Sequence, residues 1–218
     1  MSTTPALPHI GVIGGTGKQG RGLAFRLAQT GLPVTIGSRR ASNARTVAAE
    51  IGHGVQGASN AECAQVSDIV IVAVPYAGHR DLLVELKDAL AGKIVVDCVN
   101  PLGFDGRGPY ALDVEAGSAA EEAASVLTES RVVGAFHGVS AARLLDTSKD
   151  RLEMDVLVMG DDRHAVERVQ AIVDRIPGMR GIHGGHLRNC GPVESFTATL
   201  ICISRRHHAH VGMRITDL

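Results

Sequence analysis

Six residues constrain the fold more than any others: Gly15-Thr16-Gly17-Lys18-Gln19-Gly20. Ahead of them His9–Ile13 is a short apolar run, and after them Leu23, Ala24, Leu27 and Ala28 recur at helical spacing. A G-x-G-x-x-G that follows a strand and opens a helix is the context of a dinucleotide-binding turn. Gly15 permits the tight bend, Gly17 lets a pyrophosphate approach the backbone, and Gly20 lets helix and sheet pack closely. The helix N-terminus adds free N–H donors and a partial positive charge. No G-K-[ST] closes the motif, so it is not a P-loop. The competing structural reading is a glycine-rich turn without a ligand.

The end of the second strand separates two nucleotides. An NAD enzyme usually carries Asp or Glu there, accepting hydrogen bonds from the ribose 2′-hydroxyl. This chain reads Gly37-Ser38-Arg39-Arg40. A carboxylate would repel a 2′-phosphate, whereas a hydroxyl and a guanidinium fork bind it. The expected cofactor is therefore NADP(H), and the bland alternative is a solvated basic turn.

Apolar runs alternate with amphipathic stretches along the chain. Pro33–Ile36, Ile69–Val74, Ile94–Val99, Val132–Phe136 and Val156–Met159 read as strands. Between them, helical stripes include Ala44/Val47/Ala48/Ile51, Leu82/Leu83/Leu86/Leu90 and Val166/Val169/Ile172/Val173, with a last apolar helix near Val193–Ser204. The expected fold is α/β: a Rossmann-type doubly wound, mainly parallel sheet with a small C-terminal domain. Residues 1–140 are assigned to the NADP-binding domain and residues 141–218 to a smaller portion completing the cleft.

With 44% hydrophobic and 21% charged residues, the chain is not disordered. It contains no run apolar enough to span a bilayer, and Met1–Pro8 does not read as a secretory leader. Four Phe, two Tyr and no Trp leave little to stack nucleic-acid bases. Cys63, Cys98, Cys190 and Cys202 form no CxxC pair and read as reduced thiols of a cytoplasmic protein. Lys and Arg outnumber Asp and Glu in residues 1–61 and again in 179–218, while the middle is acidic. A cleft that gathers both ends would attract anions.

Proton-transfer machinery is hard to find. A short-chain dehydrogenase needs Tyr-x-x-x-Lys, but Arg80 and Val114 stand four places after Tyr76 and Tyr110. Enzymes of the 2-hydroxyacid or 6-phosphogluconate type need a large helical domain for which there is no room. His137 lies just past a strand's C-terminal end, where open α/β sheets bind ligands; a structural loop histidine is the alternative. His183/His186 and His207/His208/His210 lack a closed ligand set, so no metal is expected. Asp161-Asp162 reads as a helix cap.

The ordered set Gly14–Gly20, Ser38-Arg39, Ala73-Val74-Pro75, Val99-Asn100-Pro101-Leu102, Phe136-His137, Ser140–Arg143, Gly160–Asp162, Val193-Glu194-Ser195 and Gly212–Ile215 resembles the F420-dependent NADP oxidoreductases over nearly the whole chain. The resemblance implies direct, reversible hydride transfer between NADP(H) and the deazaflavin coenzyme F420 in a homodimer. It implies that Thr16, Gly17, Lys18 and Gln19 hold the phosphates, with Ser38 and Arg39 on the 2′-phosphate. Val74, Pro75, Val99 and Asn100 would line the adenosine and nicotinamide ribose. His137, in a positioning role, would border the ring contact with Val139 and Ala141, and Arg188, Glu194 and Val211 would shape the deazaflavin side. Coenzyme F420 carries a phosphodiester and a glutamate tail, so the basic C-terminal end has an anionic partner.

Two positions depart from the pattern. Asn43 stands where relatives often carry a basic residue, and Val139-Ser140 where some have Ile-Pro. Two other functions fit the residues: an NADP(H)-binding redox sensor without catalysis, and an NADPH reductase of another flavin-like, carbonyl or imine acceptor.

Overall fold

The computed structural model describes residues 7–218; the expectation about a leader falls largely on Met1–Ala6, outside the described residues. Eight strands form one sheet. In chain order they begin with β1 (Ile10–Ile13), β2 (Val34–Ser38), β3 (Gln56–Ser59), β4 (Ile69–Val72) and β5 (Ile94–Asp97). A separate hairpin, β6 (Leu102–Asp105) and β7 (Gly108–Ala111), intervenes before β8 (Arg131–Gly134), β9 (Met154–Gly160) and β10 (Met179–His183).

The sheet order is β10-β9-β8-β5-β4-β1-β2-β3, and every pairing in it is parallel except β8 with β9. β1, β4 and β5 are buried along their whole length, which is why their sequences run apolar without alternation. The helices α1 (Lys18–Gln29), α2 (Ala41–Ile51) and α7 (Arg163–Arg175) pack one face. The helices α3 (Asn60–Val66), α4 (His79–Leu90) and α5 (Ala119–Val126) pack the other. Leu23 and Leu27 on one side and Leu83, Leu86 and Leu90 on the other are essentially inaccessible to water. Each such side chain contributes about 1.5–3 kcal/mol of burial free energy.

The expected mainly parallel, doubly wound α/β sheet is the observed one. The sheet continues across residue 140, because β8 before it bonds to β9 after it. Residues 141–218 thus extend the sheet as well as supplying α6 (Ala141–Leu145) and α8 (Cys190–Arg206). Among the described residues no helix is long and apolar enough to cross a membrane.

From β1 the chain winds outward through β2 and β3 and then returns to β4 on the opposite side of β1. That reversal opens a crevice at the C-terminal ends of β1 and β4, the usual ligand position in such sheets. Arg26 fixes the crevice's far side. Its guanidinium, on a side chain almost wholly buried in α1, donates to the carbonyls of Leu144 at 2.8 Å, Asp146 at 2.5 Å and Lys149 at 2.8 Å. The end of α6 is thereby tied to the first helix.

Candidate functional site

The glycine turn is shaped as its residue types require. Gly14 takes φ +73°, a conformation that costs a larger residue strain. A Cβ on Gly20 would lie 2.7 Å from the Gly14 carbonyl oxygen, so α1 sits directly on the turn. Gly17 is the N-cap of α1, with no side-chain cap and no acidic residue in the first turn. The leading amides thus face an opening rather than a protein acceptor, the arrangement that favours an anion. Gly15 N donates to Gly37 O at 3.1 Å, which joins the turn to the end of β2.

Above the strand ends lies a cleft of about 1410 Å³. Gly17, Lys18 and Gln19 enter it from the turn, Val74 and Pro75 from the loop after β4, and Val99 and Asn100 from the loop after β5. His137, Val139 and Ala141 line it between β8 and α6, and Val211 reaches it from the C-terminal segment. Gly15, Thr16 and Gly20 belong to the turn behind that wall. Ser38, Arg39 and Asn43 lie beyond it, at the exit of β2 and the start of α2; Arg39 is exposed and Ser38 Oγ accepts from Arg40 N at 3.4 Å.

Two expected residues are elsewhere. Arg188 borders a separate hollow with Asp161 and His186. Glu194 is buried on α8 and accepts from Ala119 N at 2.9 Å and Ala120 N at 3.2 Å. It caps α5 from a distance of 75 residues, because the opening amides of that helix are buried and need an acceptor. Burial pushes the Glu194 carboxyl up to about 7 against the pull of those amides. The structure therefore places neither side chain on the cleft.

His137 follows Phe136, a non-glycine residue held at φ +65°. Such strain persists where the surroundings enforce it and clusters at functional sites. The His137 carbonyl is held from two sides, by Asn100 Nδ2 at 3.0 Å and Thr197 Oγ1 at 3.2 Å. The imidazole is buried, and neither ring nitrogen meets a hydrogen-bond partner among the described residues. Burial pushes its pKa down to about 4, so the ring is neutral near pH 7. Cys190 and Glu194 bring their ligand-type atoms within 4.8 Å of it and of each other. That trio makes a poor metal site: the Glu194 oxygens are committed to α5, and burial drives the Cys190 thiol upward, away from thiolate.

Several residues of the site lay outside the sequence reading. Tyr76, Thr197, Leu200 and Ser204 line the cleft, as do His208 and His210. His79 and Asp97, both wholly buried, stand just behind the loops that carry Val74, Pro75, Val99 and Asn100. Asp162 does cap α7, through Ala165 N at 2.7 Å.

Known proteins are similar to this chain in sequence and in architecture. Residues 9–101 match the family model described as NADP oxidoreductase coenzyme F420-dependent. The F420-dependent NADP reductase of Methanothermobacter thermautotrophicus is 37% identical, with 96% of this chain and 95% of that protein aligned. That of Methanocaldococcus jannaschii is 35% identical, over 96% and 98%. The chain belongs to the F420-dependent NADP reductase family. A crystal structure assigned as an F420-dependent NADP-reductase from Arthrobacter sp. FB24 superposes on this member with a TM-score of 0.81 at 27% identity, covering 95% of this chain and 98% of that one.

Proposed function

We propose that the protein passes hydride reversibly between NADP(H) and the deazaflavin coenzyme F420. One observation carries this reading. The glycine turn with its open helix amides, the strained His137 loop and the α8 wall all face a single cleft, larger than the roughly 300–1,000 Å³ of a one-ligand pocket. When bound, the two coenzymes supply the redox chemistry between them, one as hydride donor and the other as acceptor.

The chain's own residues then have binding and orienting tasks. Thr16, Gly17, Lys18 and Gln19 hold the pyrophosphate at the head of α1, and Ser38 and Arg39, with Asn43 beside them, take the 2′-phosphate. Val74, Pro75, Val99 and Asn100 bed the nucleoside and nicotinamide ribose. His137, Val139 and Ala141 border the plane where the rings meet, with Val211 on the deazaflavin side. Buried and neutral, the His137 ring adds no charge to the site; it sets the position of the loop whose backbone borders the ring contact. Apolar walls such as Val139 and Leu200 exclude water from the transfer.

In this reading residues 1–140 hold the nucleotide and residues 141–218 complete the cleft. Exposed Phe196 and Ile203 on α8, with Tyr110 on β7, support a homodimer, and the four free cysteines support a reducing, cytoplasmic setting. Mixing the protein with NADPH and oxidised F420 and following the deazaflavin's visible absorption tests the activity. Protein-dependent bleaching is the expected result. Unchanged absorption from a protein that binds NADPH would mark a sensor and overturn the reading.

A further inference from the structure

The charges around the cleft are one-sided. Among the described residues lining it there is no Asp or Glu; the permanent charges are Lys18 at the glycine turn and Arg205 at the end of α8, joined by His208 and His210. Lys18 answers to the nucleotide phosphates. The second cationic group stands on a different wall and has no partner in that assignment.

Arg205, like most of the protein's arginines, has no carboxylate partner among the described residues, but it is the one arginine lining the cleft. Arg21, Arg151, Arg163, Arg180 and Arg214 each pair with a carboxylate. The Arg205 guanidinium carbon instead lies 6.0 Å from the ring centroid of Phe104, which also lines the cleft. An aromatic face orients a guanidinium and leaves its N–H groups free for an oxyanion.

The chain then turns to bring two histidines alongside. His208 adopts φ +49°, Ala209 N donates to Ser204 O at 3.0 Å, and Val211 N lies 3.3 Å from Ser204 Oγ. Further on, Asp155 N donates to Met213 O at 2.8 Å and Ile215 N donates to Asp155 Oδ2 at 2.6 Å, so the returning segment is fastened at both ends. Cations near a helix C-terminus also offset its dipole. Arg205 and Arg206 both serve that role in the last turn of α8, but only Arg205 also lines the cleft, and His208 and His210 stand past the helix end on the same wall.

We propose that Arg205, His208 and His210 form an anion-binding pole that takes the phosphate- and carboxylate-bearing chain of the hydride acceptor, resting on the function proposed above. A small neutral carbonyl or imine has no group for such a pole. Coenzyme F420 does, in its phosphodiester and glutamate tail. The pole selects an acceptor by its tail while the reacting ring lies elsewhere in the cleft.

The test is fluorescence titration of F420, and of the same deazaflavin riboside lacking the phosphodiester and glutamates, into the protein saturated with NADP⁺. The wild type is expected to bind F420 at least about tenfold more tightly than the tail-less compound, the scale of one charged hydrogen bond. Arg205→Ala, and separately the double variant His208→Ala/His210→Ala, should erase most of that preference while changing affinity for the tail-less compound less than about twofold. Arg206→Ala should keep it, and rising salt should reduce it in the wild type and in Arg206→Ala alike. Equal wild-type affinity for both compounds, or parallel losses for both in Arg205→Ala, overturns the pole. Tail-dependent binding without hydride transfer would support the pole and sink the proposed activity instead, so the two failures are distinguishable.

Discussion

His79 Nε2 lies 2.7 Å from Asp97 Oδ2, with both side chains wholly excluded from water. The other ring nitrogen, Nδ1, is 3.2 Å from Glu122 Oε2, and Asp97 Oδ1 accepts from Val99 N at 3.0 Å. Burial alone pulls the His79 pKa down, but the hydrogen bonds and charges of Asp97 and Glu122 outweigh it and raise it above its ordinary value of 6.5. His79 heads α4 directly after the loop carrying Val74 and Pro75, and Asp97 ends β5 directly before Val99 and Asn100. The pair thus fixes two loops of the cleft against each other from behind.

Breaking this pair leaves a buried charge without its partner. Asp97→Asn and His79→Ala should each lower stability by about 3–5 kcal/mol, read as a shift in the urea midpoint. A raised histidine pKa means the folded state holds its proton more tightly than the unfolded chain. The stabilisation is therefore complete below about pH 6.5 and is lost as pH rises through the higher folded value. Melting temperature against pH should fall more steeply on the alkaline side in wild type than in His79→Gln. Parallel curves would contradict the charged pair.

Arg39→Ala should weaken NADPH binding by about 1.5–3 kcal/mol, the range of a charged hydrogen bond, and leave NADH nearly unaffected. Calorimetric titration with both nucleotides checks this. Equal losses would remove Arg39 from the 2′-phosphate.

His137→Ala should slow turnover moderately without abolishing it, because the buried neutral ring positions the cleft loop rather than exchanging protons. Single-turnover rates in the variant measure this directly, and complete loss in a folded, NADPH-binding variant would indicate acid–base chemistry. The depressed pKa also carries a stability signature. Protonation favours the unfolded chain as pH falls from about 6.5 to about 4, so stability should drop across that window less in His137→Gln than in wild type.

Arg26→Met keeps much of the side chain's bulk but leaves the carbonyls of Leu144, Asp146 and Lys149 without their donor. A loss of about 3 kcal/mol is expected, a few unsatisfied polar groups' worth. Amide hydrogen exchange in residues 141–150 should accelerate beyond the change elsewhere. Uniform acceleration would show a global effect and not a local tether.

The sheet was legible in the sequence because Ile69–Val72 and Ile94–Val96 are buried on both faces and so had to be continuously apolar. The turn was legible because Gly20 must touch the backbone of Gly14 and Gly15, which fixes a glycine at that spacing. The hairpin β6–β7 was not. Its four-residue strands contain Gly103, Gly108 and Pro109, lie outside the main sheet and pair through an Asp105 turn. The antiparallel join of β8 to β9 and the half-exposed edge strand β3 were equally silent, since pairing direction and edge position leave little pattern in one chain.

For the site, local signals located the turn and His137, while long-range pairings escaped. Glu194 looked like a ligand neighbour but caps α5, and nothing near residue 194 announces a helix start at Ala119. One available signal was passed over: Asp97 interrupts the apolar run Ile94–Val99, and a carboxylate inside a buried strand demands a partner.

The most direct test of hydride passage within this cleft uses NADPH carrying deuterium at nicotinamide C4, supplied as each stereoisomer in turn, with oxidised F420 and mass analysis of the reduced deazaflavin. The account expects the label to appear in the deazaflavin, undiluted by solvent hydrogen and from one stereoisomer only. Reduced deazaflavin that carries hydrogen from water instead, or no reduction at all, would contradict it.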